Sequence, residues 1–401
     1  MYAPVSSADW GLAPASSTTD GSVRANLGVA YDELERRCRL AVYEFLCRCY
    51  DEEAGALHHY YRADTRELSG MDSGNFLMAL CFLTMYDRYG DESMLRRAER
   101  CYRWAYDNCT ETHPMFTWQG GVRDEFAPAE LYTKYTSDAL TTCAVLHLRA
   151  PRDEYLHHAA QYHNFLKQAR EAGFMATYHR DSHRWTDHGF SWNTFGAPAI
   201  AYLELREATG DDRFLEHAKA WVDHGLELQA DDGAFYLLDD TFWNSDLTAL
   251  ELRALVFVHE LTGEGRYLEA AVRFAGWLLG RQREDGAWPI GIDRDGEVVA
   301  PNVGPGDMPN IAMSLVRLHQ HTGDERHLEA AVRACRYAIG MQAIPEGRYP
   351  EYLDDPHVKW GFWSWEPLYD HSLSGDQLVH HVRGLILVAD YLASCETDET
   401  G

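Results

Sequence analysis

Residues 322–331 read Thr-Gly-Asp-Glu-Arg-His-Leu-Glu-Ala-Ala, and residues 262–271 read Thr-Gly-Glu-Gly-Arg-Tyr-Leu-Glu-Ala-Ala. A third copy, Thr-Gly-Asp-Asp-Arg-Phe-Leu-Glu, spans residues 209–216, and weaker copies begin at Tyr89 and Ala150. The glycines of the three best copies are 53 and 60 residues apart. This spacing indicates a chain built from internal repeats, each long enough for two helices and a connection.

Each copy has the chemistry of one helix end followed directly by a helix start. The glycine suits the left-handed position that closes a helix, and the acidic residue after it suits the cap and the dipole of the next helix. Each copy is therefore predicted to be a tight turn between two antiparallel helices.

Helical periodicity flanks every turn and divides the predicted helices into two kinds. Segments before the turns are rich in Ala and Leu and poor in charge; they span 75–89, 138–148, 194–208, 247–261, 308–321 and 377–393. Segments after the turns are amphipathic; together with a similar first segment they span 27–50, 92–108, 152–170, 214–229, 267–282 and 327–342. An apolar helix must be buried and an amphipathic one covers it.

Six hairpins with an apolar inner set form either an open solenoid or a closed ring. The pattern favours the ring, so we predict an all-α fold, the (α/α)6 barrel or six-hairpin toroid. The predicted domain is residues 26–394, with a flexible segment at 1–25 and a tail at 395–401. The first residues lack a secretory signal pattern and no stretch of 18 apolar residues exists, so we expect a cytoplasmic protein without membrane contact.

Long connections lead from each outer helix to the next inner helix, whereas the turns in the other direction are short. They are predicted at 109–137, 171–190, 230–243, 283–304 and 343–373. Long ordered loops in a compact domain are usually functional, and these five meet at one end of the ring. We therefore expect the active site there.

A polar residue stands near the predicted start of every inner helix: Asp72, Asp138, Asn193, Asp246, Asp307 and Asp376. Helix capping alone would explain each of them. In a ring, however, such side chains face a shared cavity, where two carboxyl groups can act as general acid and base. Crowding of like charges would raise the pKa of some of them.

Aromatic and basic residues gather in the same loops. Trp192, Trp243, Trp363 and Trp365 could stack on sugar rings, although they could equally cover the apolar core. His188, His371 and Arg123 fall in the same loops, and an Arg there suits a substrate carboxylate. With Asn193 and Asp246, these residues are the predicted substrate-binding set.

Composition and missing motifs exclude several classes of function. The net charge of −27 argues against binding to nucleic acid or to an anionic membrane. The HExxH, GxGxxG and P-loop patterns are absent, so no metal site and no cofactor is predicted.

With the repeat and these carboxylates, the chain resembles the six-hairpin glycosidase superfamily, nearest to the unsaturated glucuronyl and rhamnogalacturonyl hydrolases. The resemblance rests on Tyr-Thr-Ser-Asp-Ala-Leu at 135–140 and Met-Asp-Ser-Gly-Asn-Phe at 71–76. It implies a glycoside hydrolase acting on an unsaturated uronic-acid-containing oligosaccharide, with Asp138 as proton donor and Asp72 as its partner. The family's Trp-Ala-Arg-Gly-Gln-Ala-Trp signature is missing, and residues 188–193 read His-Gly-Phe-Ser-Trp-Asn instead. A polysaccharide lyase or a sugar epimerase on the same barrel therefore stays open.

A second resemblance is to the QxxDGxW repeat of terpene cyclases. Residues 282–288 read Gln-Arg-Glu-Asp-Gly-Ala-Trp, and looser copies lie at 229–235 and 342–349. The DxDD and DDxxD motifs of those enzymes are absent, so a terpene-cyclase-like toroid is the weaker alternative. We interpret these repeats as structural ties from an outer helix end to the next loop.

Overall fold

A computed structural model describes residues 20–123, 127, 129–187, 195–237, 242–368 and 370–399. Its inner helices are α3 (Gly74–Tyr89), α5 (Thr133–Arg149), α7 (Gly196–Thr209), α9 (Ser245–Thr262), α11 (Asp307–Thr322) and α13 (Gly375–Glu399). Its outer helices are α2 (Tyr31–Leu40, continued by a π-helix at Ala41–Leu46), α4 (Glu92–Cys109), α6 (Asp153–Glu171), α8 (Arg213–Leu228), α10 (Gly265–Arg281) and α12 (Glu325–Gly340). A helix α1 (Asp20–Leu27) precedes them, and Pro350–Tyr352 forms one 3₁₀ turn.

The inner helices form a closed ring. Each packs against the next along the chain, from α3 to α13, and α13 packs back against α3. The prediction of an (α/α)6 barrel is therefore confirmed, and the open solenoid is excluded because its first and last inner helices would not meet.

Burial follows the predicted division between the two sets of helices. In α3, ten residues in the run from Asn75 to Met85 are buried, whereas α4 buries only one face, which includes Ala98 and Tyr102. The amphipathic helices thus cover the apolar ones, as their sequence pattern requires.

The short turns have the predicted chemistry. Gly90, Gly210 and Gly323 adopt left-handed φ values of 68°, 68° and 65° at the ends of inner helices. Asp91 and Asp324 then accept hydrogen bonds from the backbone N–H groups two residues on, which caps the outer helices. The turn after α5 lacks a glycine and ends at Ala150 with an ordinary negative φ.

Both ends of the domain extend beyond the predicted boundaries. Val23 and Leu27 of α1 are buried, and α1 packs on α13, so residues 20–25 belong to the folded body and not to a flexible segment. Helix α13 also continues to Glu399, past the predicted boundary at 394.

Short antiparallel strands fill the long connections, which the sequence reading treated as loops. Their bounds are β1 Tyr50–Asp51, β2 Ala56–Leu57, β3 Tyr60–Arg62, β4 Glu67–Leu68, β5 Val122–Arg123, β6 Glu130–Tyr132, β7 Thr177–His179, β8 Arg184–Thr186, β9 Phe242–Asn244, β10 Gly291–Asp293, β11 Val298–Ala300 and β12 Ser372–Ser374. The sheets have the orders β1-β2, β12-β3-β4, β5-β6-β7-β8 and β11-β10-β9. Three of these sheets pair strands from different connections, which satisfies backbone groups near the mouth of the barrel.

Candidate active site

A histidine held between two carboxylates lies at the mouth of the barrel. His59 precedes β3, and its Nδ1 lies 2.5 Å from Oδ2 of Asp72. Its Nε2 lies 3.4 Å from Oδ1 of Asp376, the second residue of α13. The backbone also joins these elements, because the N–H of Gly375 donates to the carbonyl oxygen of His59 at 2.8 Å. The imidazole is therefore fixed at both nitrogens and through its own main chain.

The two carboxylates of this group have different surroundings. Asp72 has only 3% of its side chain exposed, and its second oxygen accepts the N–H of Gly74 at 2.7 Å. Asp376 keeps 33% of its side chain exposed, and it accepts the Ser374 hydroxyl and the N–H of Gln377. Asp376 can therefore reach a bound molecule, whereas Asp72 is fully engaged in holding His59.

Electrostatics favour an ion pair between His59 and Asp376. Burial acts to lower the pKa of His59, but the charges of Asp376 and Asp72 outweigh it and raise that pKa well above 6.5. Burial likewise acts to raise the pKa of Asp376, but His59 and two hydrogen bonds hold it well below its ordinary value. At neutral pH the pair is an imidazolium and a carboxylate.

A third carboxyl group, that of Asp138, lies near enough to Asp376 for their charges to interact. Nζ of Lys134, one turn earlier on α5, donates to its Oδ2 at 3.1 Å. Burial raises the pKa of Asp138; Lys134 opposes this shift and the nearby charge of Asp376 adds to it. Asp138 is the sixth residue of α5 and not its first, because that helix begins at Thr133.

A histidine, His380, and two arginines lie deeper along the barrel axis. Burial lowers the pKa of His380, in the second turn of α13, to about 3, while Asp376 opposes and Lys134 adds to this shift. Arg253 of α9 and Arg383 of α13 also lower that pKa. His380 is therefore neutral at pH 7 and lies between the carboxylates at the mouth and the arginines below.

Two of the predicted stacking residues are core residues instead. Trp243 is wholly buried and packs on Trp277 with ring centroids 5.1 Å apart. Trp363 is also wholly buried, at 5.0 Å from the ring of Tyr352. Neither ring is exposed to a sugar. The predicted stacking role of both residues is therefore wrong, and both belong to the apolar core. Trp365 is only half-buried.

The predicted basic residues are tied to the rim. Arg123 donates from Nη2 to the carbonyl oxygen of Asn108 at 2.7 Å, which anchors it to the end of α4. His371 has a φ of 51°, and its Nδ1 lies 2.8 Å from the hydroxyl of Tyr352. His188, Trp192, Asn193 and the side chain of Asp246 lie outside the described residues.

Comparison with known proteins supports the architecture. No protein-family model matches the chain, and no curated protein matches its sequence. Among solved structures, a D-mannose isomerase aligns with a TM-score of 0.71 and 12% identity, covering 89% of this chain and 96% of that chain. A cellobiose 2-epimerase from Bacillus thermoamylovorans aligns with a TM-score of 0.72 and 13% identity, covering 90% and 98%.

An α-1,6-mannanase from Salegentibacter sp. aligns with a TM-score of 0.58 and 15% identity, covering 90% of this chain and 99% of that chain. That structure is an inactive variant with two aspartates replaced, in complex with α-1,6-mannotriose. The chain has the (α/α)6-barrel fold of these proteins. The nearer resemblance to uronyl hydrolases stays a prediction.

Sequence reasoning identified only part of the site. It singled out Asp72 and Asp138 but did not include His59, Lys134 or His380, and it treated Asp376 as one helix-start residue among six. The adjacent pairs His58-His59 and His380-His381 were the available signal. This signal does not place the residues in space, because only the pairing of β12 with β3 brings His59 to α13.

Two negative findings concern the described part of the barrel. It contains no helix with the length and apolar character that crossing a membrane requires. It also contains no group of three or more His, Cys, Asp or Glu side chains that could hold a metal ion.

Proposed function

We propose that this chain is a carbohydrate-active enzyme that performs acid–base chemistry at the mouth of its barrel. One observation carries the proposal: Asp138 and Asp376 lie near enough for their charges to interact, and their surroundings move their pKa values in opposite directions. Such a division separates a proton donor from a carboxylate base. The likeness to sugar isomerases, epimerases and a mannanase supports the same substrate class.

Within this class we propose glycoside hydrolysis at the end of an oligosaccharide that contains an unsaturated uronic acid. Asp138, with its raised pKa, donates a proton to the substrate, either to the bridging oxygen or to the vinyl ether of an unsaturated uronate. Asp376 accepts a proton from the water that attacks the sugar carbon. When the bridging oxygen is protonated, the bond from that carbon to the leaving oxygen breaks. When the vinyl ether is protonated, at C4, water adds to C5 and the resulting hemiketal opens, which leaves a C1 hemiacetal that releases the leaving alcohol. In both routes the two carboxyl groups exchange their protonation states.

Asp72 has an indirect part in this proposal. The resemblance implies that it assists Asp138, but both of its oxygens are occupied by His59 and Gly74. We therefore assign it the role of holding His59, which in turn keeps Asp376 ionised. Trp365, and Trp192 from outside the described residues, are the remaining candidates for stacking on the sugar. No cofactor takes part in the proposed reaction.

A sugar epimerase or isomerase is the second candidate, and His380 favours it. An imidazole that is neutral at pH 7 and enclosed in the barrel can accept a proton from a carbon next to a carbonyl group. The higher TM-scores to the isomerase and the epimerase, 0.71 and 0.72 against 0.58, support the same candidate.

One experiment separates the two candidates. The protein is incubated in D₂O with lyase-generated unsaturated oligosaccharides, intact polysaccharide, manno-oligosaccharides and free aldoses, and the products are followed by NMR and ultraviolet absorbance. Shortened oligosaccharides and loss of the unsaturated uronate signal support the hydrolase. A gain of that signal on intact polymer indicates a lyase, and deuterium on the carbon next to the carbonyl indicates an epimerase or isomerase. No reaction with any of them contradicts the proposed function.

A further inference from the structure

Two arginines point to a second binding site in the middle of the barrel. Arg253 is the ninth residue of α9 and Arg383 is the ninth of α13, so both lie about 12 Å from the helix starts at the mouth. Arg253 is only 7% exposed. Both act electrostatically on His380, which joins this level of the barrel to Asp376 above it.

Neither guanidinium has a hydrogen-bonded carboxylate partner among the described residues, although Arg253 is buried and Arg383 is half-buried. Arg253 donates from Nη2 to the amide oxygen of Asn310, which is neutral, and its buried Nε has no hydrogen-bond partner. Within the described residues, Arg383 makes no hydrogen bond and no ion pair. A buried cation without a hydrogen-bonded counterion lowers the free energy of unfolding. Such an arrangement persists where a ligand supplies the missing charge.

The charges around the pair leave an excess of positive charge. Glu204 of α7 is the carboxylate that acts on both arginines. Glu251, two residues before Arg253, is no counterion, because burial raises its pKa well above 4.5 and keeps it neutral. Asp87 also acts on Arg383, but it already forms an ion pair with Arg149. Glu204 is therefore the one carboxylate that these two guanidinium groups share. Burial and the neighbouring Arg383 lower the pKa of Arg253 to about 9, which reflects the same unbalanced charge.

We infer that Arg253 and Arg383 form an anion subsite that binds the carboxylate or phosphate of an acidic sugar. The anion-binding part stands on the arginines alone, and the sugar part rests on the proposed function. Planar guanidinium groups match both anions through paired hydrogen bonds. With its charged group on this pair, a sugar ring extends past His380 toward Asp138 and Asp376. The subsite thus selects anionic over neutral sugars and fixes the depth at which the ring stops.

Direct binding tests the subsite without any turnover. Full-length protein is titrated by calorimetry with glucuronate, glucose 6-phosphate, inorganic phosphate and neutral glucose at one fixed ionic strength. Wild-type protein is expected to bind at least one acidic sugar about tenfold or more tightly than glucose, as expected for hydrogen bonds between charged groups. Preference for glucuronate identifies a carboxylate site, and preference for glucose 6-phosphate with inorganic phosphate identifies a phosphate site.

Variants locate the effect on the pair. Arg383→Gln is expected to reduce the preference for the acidic sugar by about tenfold or more, and Arg383→Lys, which keeps the charge but loses the fork, by less. Arg206→Gln is the matched control, because Arg206 lies on inner helix α7 but pairs with Asp212 at the short-turn end. Thermal unfolding of each variant verifies its fold, and Arg383→Lys serves the test where the Gln variant does not fold.

The inference is overturned if glucose binds as well as both acidic sugars, or if folded Arg383→Gln and Arg383→Lys keep the full preference. A protein that binds acidic sugars through this pair but converts none of the test substrates contradicts the proposed function and leaves the subsite standing. A protein that converts neutral and acidic sugars equally, with no effect of Arg383→Gln, supports the proposed function and contradicts the subsite.

Discussion

Nε2 of His59 lies 3.4 Å from Oδ1 of Asp376, and this contact joins the first long connection of the chain to the start of its last helix. Asp376 accepts two further hydrogen bonds, from Ser374 and from the backbone of Gln377. A carboxylate with three such partners stays ionised and keeps one orientation. The closure of the ring, which brings α13 beside α3, therefore also assembles the proposed base.

Replacing His59 by Asn should destabilise the fold in a pH-dependent way. The raised pKa of His59 means that its contribution is complete below pH 6.5 and is lost as pH rises through its folded value. The lowered pKa of Asp376 means that its contribution is present above pH 3.8 and is lost as pH falls. The loss of unfolding free energy, about 1.5–3 kcal/mol, should be largest between about pH 4 and 6.5.

Denaturant unfolding of wild type and His59→Asn at several pH values measures this difference. His58→Asn is the matched control, since Nδ1 of His58 lies 2.6 Å from the neutral carbonyl oxygen of Ser69 and forms no ion pair with a carboxylate among the described residues. The loss of unfolding free energy in His58→Asn should not decrease above pH 6.5, whereas the loss in His59→Asn should. Equal pH profiles for the two variants would refute the ion-pair assignment.

Asp138 and Lys134 should set the alkaline limit of activity. Asp138→Asn should lower kcat by about 10²–10⁴ in a protein that still folds, because it removes the proton donor. Lys134→Gln removes the group that opposes the raised pKa of Asp138. Asp138 then keeps its proton to higher pH, so the alkaline limb of the kcat/KM profile should move upward.

The pH profile of kcat/KM for Lys134→Gln decides this assignment. Lys167→Gln is the control, because Lys167 forms an exposed ion pair with Glu171 on an outer helix. A downward shift of the alkaline limb, or equal shifts in both variants, would show that another group is the acid.

The fold followed from the sequence because its signals are local. Glycine and an acidic residue at each turn fix a helix end and a helix start within a few residues, and the contrast between α3 and α4 sorts inner from outer helices. The short strands did not follow, since two- and three-residue strands are too short for a readable alternation and pair with distant connections.

The site followed only in part, because it depends on long-range pairing. Asp138 was identified from its place near a predicted helix start, although the helix begins five residues earlier. His59 could not be placed, since its position depends on the pairing of Ser374 with Tyr60 across the closed ring. The stacking role predicted for Trp243 and Trp363 was wrong, because both side chains are buried in the core. The sequence alone does not distinguish a loop Trp that covers the core from one that contacts a sugar.

The Gln-containing repeats should affect stability and not catalysis. Nε2 of Gln282 donates to the carbonyl oxygens of Gly286 and Ala330, each at 2.9 Å, which ties the end of α10 to the following loop and to α12. Gln229 makes the same pair of contacts one hairpin earlier. These contacts support the structural interpretation of the copies at 229–235 and 282–288. In the third copy, Gln342 donates instead to the carbonyl oxygens of Arg37 and Trp360.

Gln282→Leu leaves both carbonyl groups without this donor and should cost about 1–3 kcal/mol of unfolding free energy. Its kcat should stay at the wild-type value. Gln320→Leu, at an exposed position of α11, should change neither quantity. Denaturant unfolding and turnover assays on the same samples test this, and a loss of kcat in folded Gln282→Leu would contradict the structural role.

Close contact between inner helices should make Gly384 indispensable to the ring. A Cβ atom at this position of α13 would lie 2.4 Å from the carbonyl oxygen of Pro309 in α11, which is backbone and cannot move aside. Gly384→Ala should therefore force the two helices apart at a cost of about 1–3 kcal/mol. A Cβ atom at Gly276, in outer helix α10, would meet no neighbouring atom within 4 Å. Gly276→Ala should therefore raise the free energy of unfolding by about 0.5–1 kcal/mol. Thermal and denaturant unfolding compare the two, and opposite signs are expected because only the inner position lies at a helix-to-helix contact. Equal effects would mean that α11 and α13 do not pack this closely.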